Sequence, residues 1–191
     1  MNDYSMRGHP RELLIFYLAA AAYFLLLLVA TLEGWLGVGL AVSWLTLFSL
    51  LFKVIDHYVW RLALIRRLFG LPDLNGKWLC VGNQIDADGN VTKEWRATVT
   101  IKQTWSQLSI ALQTDSSRSR SGPASIEFDE GHGYRLLYTY RNDPVPGQKP
   151  LVPHQGTCEL IFADDCTSAE GVYFNDHNRQ SFGRMKLTKQ P

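Results

Sequence analysis

The sequence predicts a membrane-anchored all-β protein: an N-terminal two-helix transmembrane hairpin followed by a small eight-stranded antiparallel β-barrel. Two observations carry this. Leu13 to Leu32 and Trp35 to Phe52 are apolar runs of twenty and eighteen residues without a formal charge, separated only by Glu33 and Gly34. After Asp73 the pattern changes to short segments that alternate apolar and polar residues, the mark of half-buried strands.

The hairpin comes first in the chain. A helical crossing of a bilayer needs about 20 predominantly apolar residues, which each run supplies or nearly supplies. Arg7 and Arg11 precede the first run, and Lys53, Arg61, Arg66 and Arg67 follow the second, whereas the connection carries only Glu33. Basic residues stay on the cytoplasmic side, so both termini and everything after the hairpin are expected there. A secretory signal is the rival, but its apolar core would be only about 7–15 residues and no second run would follow directly. Gly37 and Ala41, and Gly39 and Ser43, are spaced four apart. Such a small-residue face lets helices approach closely, either within one hairpin or between protomers. Ile55, Val59, Leu62 and Ile65 continue a helical period until Gly70-Leu71-Pro72 stops it. Residues 1–72 are therefore read as the hairpin with a basic juxtamembrane helix, and 73–191 as a cytosolic β-barrel domain.

Candidate strands follow at Trp78–Asn83, Thr98–Lys102, Gln107–Gln113, Ala124–Phe128, Tyr134–Arg141, Thr157–Phe162, Gly171–Phe174 and Gly183–Thr188. Turn chemistry separates them at Asp86-Ala87-Asp88-Gly89-Asn90, Ser121-Gly122-Pro123, Asp143-Pro144-Val145-Pro146-Gly147 and Asn175-Asp176-His177-Asn178. Even spacing without intervening helices suggests an antiparallel sandwich or barrel, and eight strands suffice to close around one small ligand.

Residues 73–191 carry 13 Lys+Arg against 14 Asp+Glu, a net of −1, so the basic character is juxtamembrane. No broad cationic surface for DNA or RNA is expected. Attraction of residues 53–67 to anionic membrane lipids is expected instead. The three cysteines, Cys80, Cys158 and Cys166, read as buried thiols, since an odd number in a cytosolic domain does not build a disulfide framework. Asp86-x-Asp88-Gly89-Asn90 lacks the glycine and glutamate of a calcium loop. His154, Cys158, Cys166 and His177 fit no common zinc spacing, so neither metal nor cofactor is expected. Gly-x-Ser-x-Gly, a phosphate-binding Gly-Lys-Ser/Thr loop and His-Glu-x-x-His are all missing, and no enzyme is expected.

One constellation has chemical content. Gln103-Thr104-Trp105 ends one strand, and Ser119 and Ser121 alternate with Arg118 and Arg120. Tyr138, Tyr140 and Asn142 share one face of another strand, and Tyr173 and Arg179 flank the last turn. Aromatic rings stack on nucleobases. Arginines and hydroxyls bind phosphate oxygens, and amides read base edges. The set suits a small nucleotide. Equally, the tyrosines suit a barrel core and the arginines a solvated face.

The order of parts resembles the two-transmembrane, β-strand-rich effectors of bacterial cyclic-oligonucleotide anti-phage signalling (CBASS). The likeness runs through the hairpin, Gly76-Lys77-Trp78, Gln103-Thr104-Trp105, and Ser117, Ser119 and Ser121. It continues through Tyr138-x-Tyr140-x-Asn142-x-Pro144, His154-x-Gly156, Gly171-x-Tyr173, Arg179 and Gly183. The resemblance implies a cyclic dinucleotide receptor in the bacterial inner membrane, served by a functionally linked nucleotidyltransferase. Ligand would drive homo-oligomerisation and membrane disruption, ending in abortive infection. Gln103, Trp105, Ser119, Ser121, Tyr138, Tyr140, Asn142, Tyr173 and Arg179 are the expected ligand contacts. The Gly-x-Trp opening is also similar to lipocalins, and a membrane-tethered lipid or small-ligand binder is the rival function.

Overall fold

The computed structural model describes residues 1–7, 11–37, 39, 42–129, 131, 133–147, 152–177 and 179–191. The chain divides into a helical unit, residues 9–71, and a β unit made of residues 1–8 and 72–191.

In the helical unit, α1 spans Arg11–Leu36 and runs straight through Glu33 and Gly34. One carboxylate does not break a helix. Gly37 does: its φ of 66° places it in the left-handed region, and its N–H donates to the Glu33 carbonyl at 2.9 Å. That is the glycine stop common at helix C-termini. At about 1.5 Å per residue α1 is about 39 Å long, more than a bilayer core. Phe16, Phe24 and Leu28 lie exposed on it. The second apolar run is helical only from Trp44: α2 spans Trp44–His57, and the Ser43 hydroxyl caps it by accepting from the Thr46 N–H at 3.1 Å. Among the described residues α1 alone is long and apolar enough to cross a membrane. The expected turn at 33–34 is therefore helical, and α1 ends instead at Leu36, ahead of Gly37. Ala41, of the small-residue face, falls outside the described residues. The Trp44 indole N–H donates to the Ala19 carbonyl at 3.2 Å and ties α2 to α1. The single helix expected over 53–72 is broken, with a 3-10 turn at Val59–Arg61 and α3 at Ala63–Phe69.

The β unit contains nine strands among the described residues: β1 (Asn2–Arg7), β2 (Gly76–Ile85), β3 (Val91–Gln103), β4 (Gln107–Gln113), β5 (Ser117–Asp129), β6 (Gly133–Pro144), β7 (His154–Phe162), β8 (Ser168–Asn175) and β9 (Phe182–Lys189). Neighbours run β1-β4-β3-β2-β9-β8-β7-β6-β5, and β5 pairs with β1, so the sheet closes into a barrel. Every strand after β1 falls where alternation placed one.

Two features correct the sequence reading. The first is β1, in a segment assigned to the hairpin. Direct pairing of β4 with β5 covers only Ala111–Gln113 against Arg118–Arg120. Beyond these residues β1 fills the seam, antiparallel to β4 and parallel to β5. Nine strands, one of them parallel to a neighbour, replace the eight antiparallel ones. The second is Gly122-Pro123, expected as a turn. It is a bulge inside one long β5, where the register against β6 shifts between Ser121 and Ala124. Proline cannot donate to a ladder and is tolerated at such an irregularity.

The interior is filled at one end only. There Trp78, Ile101, Leu108, Ile126, Leu136, Leu160, Phe162 and Leu187 are at most 2% exposed. The Trp78 and Phe162 rings meet edge-on at 5.3 Å. Arg7 of β1, paired with Glu127, and the start of β2 lie at this end.

Candidate functional site

At the other end the inward positions mix serines, glycines, aliphatic side chains and aromatic rings, and a cavity of about 300 Å³ opens. The strand register explains its shape. Trp95 on β3 is paired with Gly82 on β2, Tyr140 on β6 with Gly156 on β7, and Tyr173 on β8 with Gly183 on β9. A Cβ at Gly82 would overlap the Trp95 indole, one at Gly156 the Tyr140 phenol, and one at Gly183 the Tyr173 ring. Each aromatic ring therefore lies across the bare backbone of its glycine partner. Glycine inside a strand marks such a close approach. Three rings are thus laid along the wall instead of filling the lumen.

Polar contacts hold them there. The Trp95 indole N–H donates to the Tyr173 hydroxyl at 3.1 Å, and the two rings meet edge-on with centroids 5.6 Å apart. Tyr140 donates to Asn175 Oδ1 at 2.8 Å, and Asn175 Nδ2 donates to Ser181 Oγ at 2.8 Å. Ser119 donates to Asn142 Oδ1 at 2.8 Å, and Ser121 Oγ accepts from the Ile110 N–H at 2.9 Å. His154 meets the Val152 carbonyl through Nδ1 at 2.9 Å. A carbonyl only accepts, so Nδ1 is the donor.

The charge lies at the rim. Lys93, Arg96 and Arg179 line the cavity with one carboxylate, Asp115. Burial pushes the Tyr138 phenol well above its ordinary pKa and raises those of Tyr140 and Tyr173, so all three stay neutral donors at physiological pH. No negative charge from them opposes an anionic ligand.

Behind the wall, burial pushes both the Cys80 and Cys158 thiols up to about 12. These shifts set an alkaline limit on the fold. A thiol whose pKa is raised by folding stabilises the native state below its unfolded value of about 8.5, and this is lost as pH rises toward the folded value. Stability is expected to fall above pH 9, by up to about 1.4 kcal/mol per pH unit for each thiol. Denaturant midpoints at pH 7, 9 and 10.5 check this. Cys80→Ala together with Cys158→Ala is expected to flatten the slope, and an unchanged slope would remove the cause.

Of the residues singled out from sequence, Ser119, Ser121, Tyr138, Tyr140, Asn142, Tyr173 and Arg179 all line this one cavity. Gln103 and Trp105 do not. They sit where β3 turns into β4, at the filled end, and are 1% and 4% exposed. Gln103 Oε1 accepts from the Leu74 N–H at 3.0 Å and Nε2 donates to the Tyr4 hydroxyl at 3.2 Å, so the amide is spent on the fold. The arginines of the Ser/Arg tract also lie elsewhere: Ser117, Ser119 and Ser121 point inward, while Arg118 and Arg120 are exposed. Lys93, Trp95, His154 and Asn175 were missed as cavity residues. Trp95 was findable, since it continues the inward alternation of Ala97, Val99 and Ile101.

Residues 69–189 match the Cap15 cyclic dinucleotide receptor domain, which takes in β2 to β9 and leaves β1 outside. The chain belongs to that family. It is also similar to CD-NTase-associated protein 15 of Yersinia aleksiciae, with 38% identity over 139 residues. That alignment covers 73% of this chain and 65% of the relative, so the chain matches just under two thirds of the relative's length. The family is the one whose parts the sequence order resembles, and the matched residues include every strand that lines the cavity.

Proposed function

We propose that the cavity at the open end of the barrel binds a cyclic dinucleotide, and that binding activates the chain as a membrane-disrupting anti-phage effector. The observation that carries this reading is the set of three glycine-seated rings beneath a cationic rim, in a chain of the Cap15 receptor family. The faces of Tyr140, Tyr173 and Trp95 stack bases. Arg179 and Lys93 meet the two phosphates, where charge-assisted hydrogen bonds are strongest. Asn142, Ser119, Ser121, Asn175 and His154 read base edges.

The membrane half of the reading rests on connectivity. Residues 2–7 and 76–189 belong to one closed sheet. If α1 crosses the bilayer, the chain returns to the same side before residue 76, so the segment 37–72 makes the second crossing. That favours two spans, with the barrel and both termini cytoplasmic, in the inner membrane. Ligand triggers assembly only through a higher affinity for the assembled state. Oligomerisation then disrupts the membrane, and a linked nucleotidyltransferase supplies the signal.

Titration of the full chain in nanodiscs with a panel of cyclic dinucleotides tests this, with calorimetric heat as the readout. One member is expected to bind tightly. Arg179→Ala is expected to weaken it by about 1.5–3 kcal/mol, the range for hydrogen bonds to charged groups, which is roughly 10- to 150-fold. A folded chain that binds no member, and carries extracted phospholipid in native mass spectra, would replace the receptor by the lipid binder.

A further inference from the structure

We propose that β1 is a coupling strand: it carries the position of the cavity wall on β5 to the first membrane helix. The idea rests on the receptor reading above but concerns residues 2–7, which the family match does not include.

The seam between β4 and β5 is wedge-shaped. The two strands pair directly only beside the cavity, over Ala111–Gln113 and Arg118–Arg120, and then part. β1 occupies the opening. Tyr4, Ser5, Met6 and Arg7 pair in parallel with Ala124, Ser125, Ile126 and Glu127. The Tyr4 N–H points the other way, toward the Ser106 carbonyl at 3.4 Å, so by alternation the Ser5 N–H faces β5.

The two halves of β5 do different work. Ser119 and Ser121 face the cavity, and residues 124–127 hold β1. Between them lies the Gly122-Pro123 bulge, where the register against β6 shifts and two carbonyls come within reach of β1. Asn2 takes them: its Nδ2 lies 3.2 Å from the Ser121 carbonyl and 3.2 Å from that of Gly122. One end of β1 therefore grips the backbone of a cavity residue at the irregular point of its strand. The other end is only three residues, 8–10, from the start of α1. At the filled end a buried amide ties β1 to the segment that leads into β2. Gln103 bonds both Tyr4 on β1 and the backbone of Leu74, just before β2. A ligand that draws Ser119 and Ser121 inward shifts β5 at the bulge, and β1 moves with it as a rigid strand.

The test uses the full chain in nanodiscs, with ligand affinity and ligand-triggered assembly measured separately. Ser5→Pro removes the N–H that faces β5. It is expected to leave affinity within threefold of wild type and to raise the ligand concentration for assembly at least tenfold. The pair Ser5→Cys with Ser125→Cys can be oxidised across the parallel ladder, where adjacent strands lie about 4.8 Å apart, within disulfide reach. A β1 that moves with β5 assembles normally when so locked. Assembly by Ser5→Pro at the wild-type ligand concentration would overturn the proposal. So would loss of assembly in the oxidised pair with recovery on reduction, which would mean that β1 must leave the seam. If Ser5→Pro fails to fold, the oxidised pair decides alone. Absence of binding by the wild-type chain is a different result and overturns the receptor reading itself.

Discussion

Gly82→Ala is expected to cost at least tenfold in ligand affinity while the sheet survives. The nearest atoms the added Cβ meets all belong to the Trp95 indole, the end of a side chain that can swing toward the cavity mouth. Swinging breaks the 3.1 Å hydrogen bond to Tyr173 and the edge-on contact between the rings, and it puts the indole where a base is proposed to lie. Overpacking of this kind costs about 1–3 kcal/mol, and a ring free to move places Gly82→Ala at the low end. Gly156→Ala gives the opposite balance. Its Cβ would strike the Tyr140 phenol and also the backbone carbonyl oxygen of Phe174, which has no rotamer to change. It is expected to cost about 3 kcal/mol or more, seen as a lowered melting temperature before any ligand is added. Thermal melts paired with titration of the ligand that binds wild type separate the two. Equal stability losses with unchanged affinity for Gly82→Ala would mean that the three rings are core and not a binding wall.

These glycines also show what could be read in the chain and what could not. Alternation places a strand correctly wherever one face is apolar and the other polar; Gln107–Gln113 is strand β4 end to end. It fails where charge interrupts. Lys93-Glu94 hid the first seven residues of β3, and Trp95 with them. It fails again where pairing is non-local. Asn2–Arg7 offers only Tyr4 and Met6 as an alternating pair, and its partner on β5 lies about 120 residues away. Local chemistry also cannot distinguish a Gly-Pro turn from a Gly-Pro bulge, because only the neighbouring strand decides. The cavity residues gathered as expected because tyrosines and serines on inward positions share a lumen. Which end of that lumen is open depends on how much side chain each tier contains. Glycines at 82, 156 and 183 empty one tier, and tryptophan, phenylalanine and leucine fill the other.

Gln103 makes that distinction measurable. Read from sequence as a group that recognises a base edge, it is instead buried at the filled end, bonded to the Leu74 N–H at 3.0 Å and the Tyr4 hydroxyl at 3.2 Å. Its backbone is held as well: its N–H donates to Asn75 Oδ1 at 2.7 Å, and its carbonyl accepts from Asn75 Nδ2 at 3.1 Å. Leucine at this position keeps the volume but not the amide. The Leu74 N–H then loses its acceptor inside a core where Leu74 itself is 0% exposed, and Tyr4 loses a donor. Each buried group stranded in this way costs about 1–3 kcal/mol, so Gln103→Leu is expected to destabilise the β unit by roughly 2–4 kcal/mol. At about 2–4 °C per kcal/mol for a chain of this size, its melting temperature falls by about 5–15 °C. Affinity measured well below that temperature is expected to stay within threefold of wild type. A ligand contact would give the reverse, an intact melting temperature and a lost ligand, and that result would return Gln103 to the binding site and place the open end of the barrel where the structure has its core.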